Sequence, residues 1–149
     1  MEKHLLELKA SLAAAGSAVC AFLSWKGVLA ITWIVVMGLD YLSGTAGALK
    51  NGVWSSRTAR EGLWHKCGMI FSVAVAGITD WILSVLLGNI PQLDLKWPGL
   101  ALPLVLAWYI LTELGSILEN AEALGAQVPR VLTRLLKASR EAVDREGEK

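Results

Sequence analysis

Residues 27–49 read GVLAITWIVVMGLDYLSGTAGAL, and this stretch decides the fold. It is almost wholly apolar and carries a single acid, Asp40. A transmembrane helix needs about 20 consecutive apolar residues, and the run is long enough. Two later runs repeat the design. Gly68–Gly88 carries only Asp80, and Gly99–Leu118 carries only Glu113. An acid at mid-membrane costs about 3 kcal/mol even on the lenient insertion scale, so one acid per span points to helices that meet one another rather than lipid alone.

Composition agrees. Of 149 residues, 54% are hydrophobic and 18% charged, against about 25% charged in soluble domains. Mean hydropathy is +0.50, and the charges lie in blocks between the apolar runs, which reads as a single integral membrane domain. Net charge is +1, so bulk charge offers no ground for a nucleic-acid partner and none is expected. Cys20 and Cys67 fall near opposite membrane faces in the topology below, which excludes a disulfide between them and leaves free thiols. Val19 before Cys20 is too large for a lipoprotein processing site, and the mixed charges of Met1–Lys9 are not those of a secretory signal peptide.

Outward from the central run, residues 1–25 read as a short N-terminal helix. Its apolar part, Ala10–Trp25, is about 24 Å long at 1.5 Å per residue, and it is a candidate fourth span or an interfacial helix. Lys50-Asn51-Gly52 stops the first long helix. Residues 50–67 form a basic loop in which Thr58-Ala59-Arg60-Glu61 fits a capping box, so a short helix should begin near Thr58 and run into the second span. The third span and its extension cover 99–124. Pro103 lies in its first turn, where a missing amide matters least, and Gly125 closes it. Over 128–143, Val128, Val131, Leu132, Leu135, Leu136 and Val143 form an apolar stripe opposite Arg130, Arg134, Lys137 and Arg140. This is a cationic amphipathic helix suited to an anionic membrane surface, or to packing on a partner; residues 144–149 read as a frayed tail. The fold class is therefore an all-α integral membrane protein of antiparallel helical hairpins, with three long spans flanked by the two lesser helices.

Lysine and arginine mark the cytoplasmic side. With three or four spans, Arg57, Arg60, Lys66 and the basic C-terminal helix all fall there. Four spans also bring Lys3 and Lys9 inside and give the greater asymmetry, which is the preferred reading.

Candidate residues follow. Asp40, Asp80 and Glu113, with Tyr41 beside the first, are intramembrane polar or oligomer-forming candidates. Two compatible readings apply: they line a polar seam between copies, and they bond within the chain, to Tyr41, Thr79, Thr112 or a neighbouring backbone. Gly44, Gly47, Ala48, Ala76 and Gly77 are candidates for close helix packing. Arg57, Arg60, Lys66, Arg130, Arg134, Lys137 and Arg140 are candidates for the membrane surface. Trp25, Trp97, Trp54 and Trp64 read as interfacial anchors, whereas Trp33, Trp81 and Trp108 should pack between helices. His65 and Cys67 lack the companions of a metal site, and Ser55 and Ser56 lack a glycine elbow, with His4 and His65 the only candidate bases. Neither catalysis nor a cofactor is expected.

Several ordered motifs carry a family resemblance. Leu39-Asp40-Tyr41-Leu42-Ser43-Gly44 resembles the LDYLTG signature of the phage-lysis and toxin-secretion holins. Ser55-Ser56, Gly62-Leu63 and Lys66 are similar to that family's basic loop, and Asp80 to an acid common in its second span. Glu113, Ser116-Ile117-Leu118-Glu119-Asn120, Leu124-Gly125 and Val128-Pro129 resemble its E-x-x-S-I-L-E-N…L-G-x-x-V-P block. Gln127 stands where many relatives have a proline. The resemblance runs from about Trp25 to Leu136. It implies a small multi-pass protein of the bacterial cytoplasmic membrane with its C-terminus in the cytoplasm. Such a protein associates with itself, opens the membrane, and lets an endolysin or a toxin pass as cargo. Two other classes are weighed beside it: a membrane anchor or scaffold recruiting a partner through its basic segments, and a small ion-channel subunit.

Overall fold

The computed structural model describes residues 24–90 and 96–147, together with positions 3, 4, 6, 7, 9, 11 and 16, which are helical. The expected N-terminal helix, its reading as a fourth span, and Cys20 lie largely outside the described residues. Four helices follow: α1 (Trp25–Lys50), α2 (Ser56–Gly88), α3 (Ala101–Ala123) and α4 (Arg130–Gly147). No strand occurs among the described residues. The first three helices are long and apolar enough to cross a membrane. At 1.5 Å per residue they measure about 39, 50 and 34 Å, against a hydrocarbon core of about 30 Å.

Local chemistry sets the ends. After α1, Gly52 adopts φ +67°, and the amides of Gly52 and Val53 return to the carbonyls of Leu49 and Ala48. After α3, Gly125 adopts φ +93°, and Gly125 and Ala126 return to Glu122 and Ala121. Both are Schellman closures, in which a left-handed residue lets the chain satisfy carbonyls that the helix leaves free.

The start of α2 differs from expectation. Ser55, not Thr58, is the cap: its Oγ accepts from the Thr58 amide at 3.1 Å. The helix begins at Ser56, two residues before the expected start near Thr58, and runs unbroken into the second span as far as Gly88. Likewise α4 continues to Gly147, where a frayed tail was expected from 144. Arg145 donates to the Glu141 carbonyl at 3.2 Å, and a cation in the last turn suits the negative end of the helix dipole.

Helix α1 and helix α3 run in the same direction, and α2 runs against both. Lys26 meets Gly99 at one end of the pair and Lys50 meets the Leu124 carbonyl at the other. Helix α3 is the hub, since α1, α2 and α4 all pack on it while α1 and α2 barely touch. The apolar core is Trp33, Met69 and Leu106, one from each of the first three helices, with Tyr109 stacked 6.3 Å from Trp33. Most other large apolar side chains, among them Ile34, Leu42, Phe71 and Val75, face outward. So does Trp81, at 67% exposure, which corrects the expectation that it packs between helices. Outward apolar faces of this extent would be a liability in water and are the normal surface of a protein in lipid.

Candidate functional site

Asp40, Lys66 and Glu113 each lie about ten residues, or about 15 Å, from the Lys50–Ser56–Leu124 end of their helix. The three side chains meet. Lys66 Nζ lies 3.0 Å from Asp40 Oδ2 and 3.0 and 2.7 Å from the two oxygens of Glu113. An ammonium has three protons, and all three are directed at carboxylate oxygens. Lys66 is 9% exposed and Glu113 4%. Asn120 extends the cluster, donating to Asp40 Oδ1 at 3.1 Å and Ser43 Oγ at 3.0 Å. Each element of the three-helix unit thus contributes one charge, and the contact at Lys66 ties α2 to the α1–α3 pair.

Lys66 therefore does not stand on the membrane surface, where the sequence reading put it. The helix between Ser56 and Lys66 carries the ammonium away from the turn and level with the two acids. Asp40 and Glu113 bond within the chain, but to a lysine and an asparagine rather than to Tyr41 or Thr112. The Thr112 hydroxyl donates to the Trp108 carbonyl, and Tyr41 is exposed. A cavity of about 350 Å³ opens beside the cluster, lined by Asp40, Tyr41, Gly44, Ala48, Lys66 and Glu119 among others.

Asp80 builds a second cluster at the opposite end. Its Oδ1 accepts from Trp97 Nε1 at 2.8 Å and the Ala101 amide at 2.9 Å; Oδ2 accepts from the Leu102 amide at 3.0 Å. The N-cap of helix α3 is Leu100, which offers no capping side chain. Its first amides would be orphaned in a low-dielectric setting, and the carboxylate from α2 satisfies them. Lys26 donates to the Gly99 carbonyl at 2.6 Å and lies 3.9 Å from Asp80. Gly99 has φ +68°, and a Cβ there would collide with Lys26 Nζ while meeting Asp80 at ordinary contact distance. At the far end of α3, Lys50 donates to the Leu124 carbonyl. The hub helix thus borrows both caps from its neighbours, an acid at its N-terminus and a cation at its C-terminus.

The small residues fall between helices. A Cβ on Gly44 would lie 3.4 Å from Asn120 Nδ2, one on Gly47 3.9 Å from Ala123, and one on Gly77 4.0 Å from Leu102. Ala76 is buried on α2, and Ala48 is half-buried at the cavity. Arg57 pairs with Glu61 at 3.0 Å on the exposed first turns of α2, and Arg60 is exposed nearby. On α4, Arg130, Arg134, Lys137 and Arg140 are all exposed. Arg140 stacks over the Trp108 ring at 4.5 Å, a contact that the sequence reading did not anticipate. Cys67 is a free thiol, and no three metal-binding side chains gather among the described residues.

Comparison with known proteins places this arrangement. A protein of Halalkalibacterium halodurans described as uncharacterised is 30% identical over 112 residues, which cover 75% of this chain and 77% of that one. No solved structure matches the chain. Residues 17–141 match the bacteriophage holin family, a span that takes in all three membrane-length helices, both ion clusters and most of α4, and the chain belongs to that family.

Proposed function

We propose that this protein is a holin that accumulates in the bacterial cytoplasmic membrane, associates with itself and opens the bilayer. An endolysin, or a toxin in a secretion setting, would then cross, and the moment of opening would time lysis or release. The observation that supports this best is the Asp40–Lys66–Glu113 cluster, placed inside three bilayer-length helices of a holin-family chain. In lipid, apolar packing gives helices little reason to associate, whereas polar contacts and small residues do. The cluster gives a single copy a closed polar interior that lipid tolerates. Its outward apolar faces and adjoining cavity leave surfaces on which further copies can pack.

The basic first turns of α2 and the basic α4 support a cytoplasmic C-terminus, with α4 drawn to anionic lipid. Purified protein reconstituted into liposomes holding both a small dye and an encapsulated enzyme tests the reading. A holin of the large-lesion type releases both above a threshold protein density. A channel subunit releases the dye alone, and a scaffold releases neither. Induced expression in bacteria should collapse the membrane potential abruptly after a delay; full potential at high expression would count against the proposal.

A further inference from the structure

Helix α4 folds back along α3 instead of leaving the bundle. Leu136, Lys137 and Arg140 share a cleft of about 280 Å³ with Thr112, Gly115 and Glu119, and Arg140 lies over Trp108. Trp108 is fifteen residues before the end of α3, about 22 Å along its axis. Arg140 therefore reaches past the depth of Glu113 and well into the span. Along the way Arg130, Arg134 and Lys137 remain exposed, and so do Val131, Leu132 and Leu135.

Cations standing laterally exposed at that depth are costly in hydrocarbon and natural in water. The position of α4 thus suits a flank of α3 that faces an aqueous space and is costly against lipid tails. The connection permits a second position. Between the Schellman closure at Gly125 and the start of α4, residues 126–129 form neither helix nor strand. A few rotations there carry α4 away from α3 and onto the membrane surface, with Val131, Leu132 and Leu135 turned to the acyl chains.

We propose that α4 is a two-position arm: it lies on the anionic membrane surface while the bilayer is intact, and folds along α3 to line the opening with Lys137 and Arg140 once water enters. The inference rests on the holin reading and adds a wall of stated charge to it. Such a wall selects anions in narrow early openings, because fixed charge reaches about 30 Å at 0.01 M salt and about 10 Å at 0.1 M.

The test uses the full chain in planar bilayers under a potassium chloride gradient at low ionic strength. The first conductance steps of the wild-type protein should show a reversal potential displaced toward that of chloride. Lys137→Gln/Arg140→Gln should bring it close to zero, and Lys137→Glu/Arg140→Glu should reverse its sign. A second measurement reads the position directly. In a chain with Cys20 and Cys67 replaced by alanine, Leu111→Cys and Lys137→Cys line the same cleft. A short bifunctional maleimide should bridge them after triggering in cells and not before. Wild-type openings without selectivity, unchanged selectivity in the charge variants, or equal bridging before and after triggering would each overturn the arm. Bilayers that never open would overturn the holin reading itself, and the arm with it.

Discussion

Replacing Lys66 by methionine isolates what the buried cluster contributes. The side chain stays unbranched, one atom shorter, and loses its charge, leaving Asp40 and Glu113 facing each other without the ammonium that now sits 2.7–3.0 Å from both. Removing one partner of a buried ion pair costs about 3–5 kcal/mol, because the stranded charge keeps its desolvation penalty. At about 2–4 °C per kcal/mol for a chain of this size, the apparent melting temperature in mild detergent should fall by on the order of 10 °C. The loss should fall on α2 first, since α1 and α2 make few other contacts. Asp40→Asn/Lys66→Met/Glu113→Gln removes all three charges together and should recover most of the loss, because a buried ion cluster replaced as a whole is commonly neutral in cost. Thermal melts followed by circular dichroism on the wild type, the single and the triple variant make the comparison. The reasoning is refuted if Lys66→Met melts with the wild type, or if the triple variant melts below the single one.

Three further outcomes follow from the same geometry. Asp40→Asn should shift the onset of lysis after induction more than Glu122→Gln, because Asp40 holds Lys66 and Asn120 while Glu122 is exposed; equal onset times would make Asp40 merely structural. Asp80→Ala should cost about 1–3 kcal/mol by orphaning the first amides of α3 and the Trp97 indole, and Asp80→Asn should cost less because an amide oxygen still accepts; equal melting temperatures for the two variants would contradict the capping role. Gly99→Ala should destabilise by about 1–2 kcal/mol from its left-handed backbone alone and more by displacing Lys26, whereas Gly62→Ala, in open space within α2, should stabilise slightly. Parallel melts of the two glycine variants decide that point.

The three spans were legible because hydropathy and length carry them, and α1 and α3 fall within two residues of the expected bounds. The glycine closures at Gly52 and Gly125 were legible too, because they are written in local sequence. The cluster was legible in two of its three members. Asp40 and Glu113 stand out as lone acids in apolar runs, and the cost of each demands a partner. Lys66 does not stand out, because it sits among Arg57, Arg60 and His65 next to a run that starts at Gly68. A signal was present nonetheless: a helix begun at Ser56 or Thr58 and continuous with the second span carries Lys66 inward by about two to three turns. The borrowed caps of α3 and the Arg140–Trp108 contact were not legible, since they depend on which helices lie side by side.

The placement of Lys66 bears on why three helices with so little shared core adopt one arrangement. Trp33, Met69 and Leu106 make a small apolar centre, and in a bilayer their burial gains little, because lipid tails are as apolar as leucine. Sliding α2 along α3 by one turn would exchange one set of apolar contacts for another at modest cost. It would also pull Lys66 about 5.4 Å from Glu113 and Asp40, and Asp80 as far from the first amides of α3. The two clusters lie at opposite ends of the α2–α3 pair, so both break under the same displacement. Apolar residues set which surfaces face lipid, but the charges set the register, and polar contacts at both ends determine it more sharply than either would alone.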